Sequence, residues 1–232
     1  MESIILAGGL GTRLQGVIGA YPKCMAPVNG RPFLSYLLEY LSAQGCTRAI
    51  LSLGFKHEVV IEWLQTQTLS FPVDFVIETE PLGTGGGIQL AMREAKTANV
   101  AVLNGDTMFM VDMKEMMQFH IVNHSATTLA LKQMHNFDRY GVVNTDTTNH
   151  VTSFEEKQQR DTGLINGGVY VINKEQFFGK QLPKQFSFEK HYLEAFVTEQ
   201  QFYGYKSEAY FIDIGIPVDY TQAQEDFKSI FP

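Results

Sequence analysis

Three glycines, an arginine and a lysine open this chain in an order that suits a polyphosphate. The string Leu6-Ala7-Gly8-Gly9-Leu10-Gly11-Thr12-Arg13-Leu14 is followed by Pro22-Lys23-Cys24-Met25-Ala26-Pro27-Val28. Ser3 to Ala7 reads as a short apolar strand that runs into the glycine-rich turn. Glycines let backbone N–H groups approach an anion closely, and Arg13 and Lys23 can neutralise its charge. The pattern predicts a polyphosphate held at the carboxyl end of a first β-strand. No G-x-x-x-x-G-K-[ST] string follows that strand, so a Walker-type loop is excluded. The dinucleotide pattern G-x-G-x-x-G also fails, because Leu14 stands where the third glycine would fall if Gly9 were the first. The two cations favour a phosphate group that reacts over a resident dinucleotide.

Two carboxylates stand at other strand ends. Asn104-Gly105-Asp106 closes the apolar run Val100–Leu103, and Asp213 closes Tyr210-Phe211-Ile212. In open α/β sheets, ligands collect beyond the carboxyl ends of strands. A carboxylate there suits a hard cation such as Mg2+, so Asp106 and Asp213 could grip one ion from two sides. The competing reading of either residue alone is a turn cap.

The elements that must position these groups alternate in the first half. Strands are predicted at Ser3–Ala7, Arg48–Leu53, Val73–Ile77 and Val100–Leu103. Between them, helices are predicted at Pro32–Gln44, Lys56–Gln65 and Gly86–Ala95. Such spacing indicates βαβ units and a mainly parallel sheet. The second half changes to strands with short turns: Ala126–Gln133, Gly141–Asn144, His150–Glu155 and Gly168–Asn173. A helix over Ser187–Glu199, strands at Phe202–Lys206 and Ala209–Asp213, and a closing helix over Val218–Ser229 complete the chain. The predicted class is α/β, with a Rossmann-like mixed, mainly parallel sheet flanked by helices. One domain over residues 1–232 is expected, in two halves that meet near residue 125.

Composition bounds the rest. The 232 residues are 44% hydrophobic and 19% charged, ordinary for a globular protein. A net charge of -7 argues against a general nucleic-acid binder. No apolar run reaches a membrane-spanning length and no export peptide is evident, so no membrane partner is expected. Cys24 and Cys46 fit no metal or redox motif and read as free thiols in a reducing cytoplasm. His120 and His124 fall four apart on a helix without a third ligand, so no zinc site is expected. Met108, Met110, Met113, Met116 and Met117 read as core filling. Self-association is compatible with the sequence but not specified by it.

The opening string resembles the signature of sugar-1-phosphate nucleotidyltransferases, L-A-G-G-x-G-T-R-L followed by P-K-x-x-x-P-V. Leu51 to Glu58, Pro81 to Gly86 and Leu103 to Thr107 further resemble heptose 1-phosphate guanylyltransferases within that family. The resemblance runs over nearly the whole chain. It implies a GT-A-like nucleotidyltransferase fold, Mg2+ as cofactor, and an NTP and a sugar 1-phosphate as partners. Asp106 and Asp213 match the family's metal-binding aspartates. Arg13 would hold the departing phosphates, and Lys23 the α-phosphate and the incoming sugar phosphate. Nucleotide contacts would come from Leu6, Ala7, Gly8, Gly9, Gly11, Thr12, Arg13, Glu80, Pro81, Gly85, Gly86 and Asp106. The glycines after Pro81 would let backbone touch the base. Sugar-phosphate contacts would come from Lys23, Asn104, Tyr140, Gly141, Glu156, Lys157, Asn166 and Asp213. Gln158 replaces the proline that usually follows the family's E-K pair.

Guanine offers two adjacent donors on its Watson–Crick edge, which a carboxylate matches, so Glu80 favours GTP over UTP. D-glycero-α-D-manno-heptose 1-phosphate with GTP is the expected pair. Mannose 1-phosphate with GTP comes second, and a uridylyltransferase for an N-acetylhexosamine or muramic-acid 1-phosphate third. A catalytically inactive sugar-nucleotide sensor should have lost a phosphate or metal residue, yet Arg13, Lys23, Asp106 and Asp213 are all present. A glycosyltransferase should show D-x-D, which is absent at Asp112 and Asp146.

Overall fold

The computed structural model describes residues 1–9, 16, 19, 21–199 and 201–232. Leu10, Gly11, Thr12, Arg13 and Leu14, and with them part of the phosphate string, lie outside the described residues. Strand β1 (Glu2–Ala7) is central and almost wholly buried. It lies parallel to β4 (Arg48–Leu53) on one side and to β6 (Asn99–Asn104) on the other. Ile5 sits in register with both Leu51 and Leu103. Strand β5 (Val73–Ile77) adds in parallel beyond β4. Strands β1, β4 and β6 are buried along their length and read as continuous apolar runs, whereas the edge strand β5 leaves Phe75 and Ile77 exposed. Because chain departs from β1 in both directions, the carboxyl end of β1 is a topological switch point.

Helices cover this parallel block. Helix α1 (Phe33–Ala43) buries Phe33, Leu34, Leu37, Leu38 and Leu41 at helical spacing. Its two buried tyrosines also reach partners: Tyr36 donates to the Val28 carbonyl at 2.9 Å and Tyr40 to the Val111 carbonyl at 2.6 Å. Helix α6 (Pro217–Ile230) packs on it through Phe227, 4.8 Å from the Tyr36 ring. Helix α2 is His57–Gln65, and α3 is Gly83–Glu94. Helix α4 (Met113–Val122) starts at Asp112, whose carboxylate accepts the N–H groups of Lys114 and Glu115, both at 2.9 Å. It carries His120, while His124 lies past its end. His120 is buried between Thr128 and Asn99, and burial pushes its imidazole down to about 4.

The second half extends the same sheet. Strand β11 (Arg160–Asn173) runs antiparallel to β6 along Val169–Asn173 and antiparallel to β8 (Thr127–Phe137) on its other side. Strands β9 (Val142–Thr145) and β10 (Val151–Glu155) follow at one edge, and β12 (Phe202–Ser207) lies parallel to β8. The nine-stranded sheet therefore joins a parallel block to a mixed one. Two short pairs stand apart: β2 (Pro27–Val28) with β3 (Arg31–Pro32), and β7 (Thr107–Phe109) with β13 (Phe211–Asp213).

Several elements differ from their sequence expectation. Strand β11 begins at Arg160, not Gly168, because its polar first half pairs with the extended end of β8. The Gly167-Gly168 pair is an irregularity inside the strand, with Gly168 at φ +71, a backbone that only glycine adopts without strain. Helix α3 starts three residues earlier than expected. Its glycines admit the Lys184–Phe186 segment: a side chain on Gly85 would collide with the Phe186 ring, and Gly85 N–H donates to the Phe186 carbonyl at 3.0 Å. The Ser187–Glu199 helix contains a π-helical turn over Glu189–Glu194. Among the described residues, no helix is long and apolar enough to cross a membrane.

Candidate functional site

Lys23 leads into a 3₁₀ turn, Lys23–Met25, whose next two side chains, Cys24 and Met25, are buried. Burial, and then the nearby Asp106 carboxylate, push the Cys24 thiol up to about 12. It stays protonated and acts as a small apolar anchor. With the turn held from below, the lysine side chain is directed at the two strand-end carboxylates.

Short hydrogen-bonded links bring those carboxylates together. Gly105 N–H donates to the Leu6 carbonyl at 2.9 Å, which ties the end of β6 to the end of β1. Strands β7 and β13 pair antiparallel with Thr107 opposite Asp213, and Ile214 N–H donates to the Asp106 carbonyl at 3.0 Å. Lys23 Nζ forms an ion pair with Asp106 Oδ2 and lies 3.6 Å from Asp213 Oδ1. The three side chains are only 16%, 31% and 30% exposed, so solvent screens them weakly. Burial, reinforced by Asp106, raises the Asp213 carboxyl above the usual carboxylate range, while Lys23 acts in the opposite direction. One cation thus faces two carboxylates, and the cluster has room in charge for a second cation.

A cavity of about 490 Å3 opens beside this cluster and includes Asp213, Asn104 and Thr107 in its lining. Tyr140, Gly141, Glu156, Lys157 and Asn166, all expected on the sugar side, line the same cavity. Asn166 is committed within the wall: its amide donates to the Tyr170 hydroxyl at 2.8 Å and accepts from Gly168 N–H at 3.1 Å. Tyr140 packs edge-on against Phe211, two residues before Asp213, with ring centroids 6.0 Å apart. Burial raises its phenol strongly, so Tyr140 remains a neutral hydroxyl. Arg139 pins this loop to the start of α6 by a 2.6 Å ion pair with Asp219, and its guanidinium lies 5.3 Å from the Tyr140 ring centroid.

On the nucleotide side, Leu6 and Ala7 close β1, with Gly8 and Gly9 just beyond. Gly11, Thr12 and Arg13 fall outside the described residues. Glu80 lies on the loop after β5. It is solvent-exposed beside exposed Pro81 and pairs with Lys184 at 2.5 Å. The carboxylate that faces the glycine turn is Glu78. Its Oε1 lies 2.6 Å from where a Cβ on Gly8 would stand, and 3.0 Å from the same point on Gly87. It accepts from Ser52 Oγ at 3.2 Å and from Leu82 N–H at 3.1 Å. Glu78 follows β5 directly, as Asp213 ends β13. The strand-end rule that selects Asp106 and Asp213 would have found it.

Comparison with known proteins places the chain in a family. The sequence profile of the family described as nucleotidyl transferase matches residues 2–229. The chain is 46% identical over 228 residues to D-glycero-alpha-D-manno-heptose 1-phosphate guanylyltransferase of Aneurinibacillus thermoaerophilus, covering 98% of this chain and 99% of that protein. It is 44% identical over 220 residues to the protein of the same name from Campylobacter jejuni, covering 95% and 97%. The crystal structure of HddC from Yersinia pseudotuberculosis superposes with a TM-score of 0.88 at 39% identity, covering 97% of this chain and 99% of that one. The same protein complexed with GMP-PN gives a TM-score of 0.87. With the glycine turn, the paired strand-end aspartates and a profile match over almost every residue, this chain belongs to the nucleotidyl transferase family.

Proposed function

We propose that this chain transfers GMP from GTP to D-glycero-α-D-manno-heptose 1-phosphate, giving GDP-heptose and pyrophosphate. The observation that carries the reaction class is the Lys23–Asp106–Asp213 cluster beside the cavity, whose lining includes Asp213. Near-full-length similarity to two heptose 1-phosphate guanylyltransferases supports the choice of sugar and base. A phosphate oxygen of the sugar 1-phosphate attacks the α-phosphorus of GTP. A P–O bond forms there, the bond to the β-phosphate oxygen breaks, and pyrophosphate leaves. Two anions must be held in line, so positioning and charge neutralisation supply the rate.

Lys23 would hold the sugar phosphate against the α-phosphate, and Arg13 the leaving pyrophosphate. The donor set of Asp106 and Asp213 fits Mg2+: hard carboxylate oxygens, mutually repelling and incompletely compensated by Lys23. When bound, Mg2+ offsets phosphate charge. Tyr140, Gly141, Glu156, Lys157 and Asn166 would line the sugar, with Asn104 at the phosphate end. The test is pyrophosphate release across four NTPs with heptose and mannose 1-phosphates. The proposal requires GTP with the heptose to give the highest kcat/KM, and fails if mannose 1-phosphate is turned over better.

Glu78 is our choice for the guanine edge, in place of Glu80. An ionised carboxylate accepts both N1–H and N2–H, whereas Gln offers one acceptor and one mismatched donor. Glu78→Gln is expected to lower kcat/KM for GTP by about 10- to 100-fold, mainly through KM. Glu80→Gln is expected to change it less than about threefold, since that side chain is exposed on the loop. Parallel steady-state kinetics on both variants decide between them.

Arg139 is a positioning residue that couples the sugar loop to the start of α6, the helix that follows the Asp213 strand. Arg139→Met is expected to raise KM for the sugar phosphate about fivefold with kcat nearly unchanged, and Arg139→Lys to recover part of the loss. An equal fall in kcat for both variants would rule out that role.

A further inference from the structure

The charged side chains around the cavity fall into two groups. Asp213, Glu155 and Glu189 are engaged. Asp213 faces Lys23, and Glu155 takes Arg160 and the Asn144 amide. Glu189 accepts from Thr84 Oγ1 and Ser187 Oγ, each at 3.0 Å. Glu156, Lys157, Lys190 and Glu194 also line the cavity, yet among the described residues their charged groups have no hydrogen-bond or ion-pair partner. Glu156 and Lys157 sit on the turn after β10, where the proposed function already uses them. Lys190 and Glu194 belong to the π-helical turn, and nothing so far gives them a task.

That turn is rigidly built. Tyr192 is fully buried, stacks on Phe188 with centroids 5.2 Å apart and meets the Phe177 ring at 5.0 Å. Its hydroxyl shares a 3.0 Å hydrogen bond with Thr127. Phe188 N–H donates to Thr84 Oγ1 at 2.9 Å, which fixes the start of the turn on α3. Single π-helical turns inside helices recur at functional sites, and a turn locked from behind can present polar groups in a set geometry.

In a pyranose, the C5–O5 edge lies opposite the C2–C3 edge. With the ring hydroxyls placed at Gly141 and the Glu156 turn, Lys190 and Glu194 are the unpartnered charged groups of the lining that remain for the C5 edge. In the heptose that edge carries a –CHOH–CH2OH arm, a vicinal diol. Mannose carries only one hydroxyl there. A free carboxylate can accept both O–H groups of a diol while an ammonium donates to one of its oxygens. We infer that Lys190 and Glu194 read the C6–C7 diol and select heptose over hexose 1-phosphates. This assignment rests on the proposed heptose reading.

The test compares wild type, Lys190→Ala and Glu194→Ala with heptose 1-phosphate and mannose 1-phosphate at saturating GTP. Both side chains are exposed, and a melting curve of each variant checks that the fold is kept. Glu194→Ala is expected to lower kcat/KM for the heptose by about 10- to 100-fold and to change that for mannose by less than about threefold. Lys190→Ala should act in the same direction, and KM for GTP should hold. If wild type turns over the heptose but both sugars fall equally, or neither falls, the diol assignment is overturned and the proposed function stands. A wild type that ignores the heptose overturns the proposed function, and the assignment with it.

Discussion

Asp106→Asn is expected to lower kcat by at least about 10³-fold while leaving thermal stability unchanged or slightly raised. The activity loss follows from the cluster's electrostatics. Asp106 is the direct ion-pair partner of Lys23, and with Asp213 it supplies the two carboxylates that suit a divalent ion. An amide cannot offset the charge of that ion or orient the lysine as a carboxylate does. The stability result follows from the same arrangement. Asp213 sits above the usual carboxylate range because of burial and the neighbouring Asp106 charge, so removing one charge relieves repulsion in the apo protein. Asp213→Asn should behave alike, and the double variant should lose little more than either single one, since both residues act as one unit. Pyrophosphate release and thermal melting in the absence of divalent ions check the two halves separately. A kcat within tenfold of wild type for Asp106→Asn would falsify the assignment of the cluster as the reaction centre.

The second large effect concerns folding. Glu2 is 5% exposed at its side chain and begins the central strand. Burial alone would raise its carboxyl. Arg48 at 2.8 Å and the N–H groups of Thr97 and Lys96, at 2.7 and 2.6 Å, outweigh that and hold it at about 2. Set against an unfolded value of 4.5, the shift corresponds to about 3 kcal/mol of stability, present above pH 4.5 and lost as pH falls toward 2. Glu2→Ala is therefore expected to cost about 3 kcal/mol at pH 7, or about 5–10 °C in Tm, because buried N–H groups and Arg48 lose their acceptor. Glu2→Gln should be milder and should flatten the pH dependence between 4.5 and 2.

His120 adds a separate acid limb. Its imidazole is buried neutral, so the unfolded chain takes up a proton from about pH 6.5 downward while the folded one waits until about 4. Stability should fall through that window in wild type and not in His120→Gln. Denaturant melts from pH 3 to 7 test both residues, and an unchanged acid slope in either variant would count against that residue's part.

Some of this protein is readable one segment at a time. Arg48–Leu53 and Val73–Ile77 are strands in the structure with the same bounds that the apolar runs suggest, because a strand's extent is set by a local pattern. Strand β11 is not readable in this way. Arg160–Leu164 looks like a polar loop, and it is extended only because β8 lies beside it. The two glutamates after β5 show the same division. Glu78 and Glu80 are chemically identical and two residues apart, but Glu78 follows β5 toward Gly8 while Glu80 lies out on the loop with Lys184.

The amino-acid sequence by itself determined the family through the signature its opening string resembles, and glycines, Arg13 and Lys23 in one ordered string are a local statement about binding phosphate. It also marked Asp106 and Asp213 as strand-end carboxylates. That they could share one ion was expected, but only the tertiary structure shows what brings them together: the three-residue strands β7 and β13, too short to leave a periodic signal. It likewise decided which charged side chains around the cavity are spent on neighbours and which, like Lys190 and Glu194, have no partner among the described residues. The physical reason is common to both: charge and conformational permissiveness belong to residues, whereas desolvation and partner choice belong to the surfaces that folding brings together.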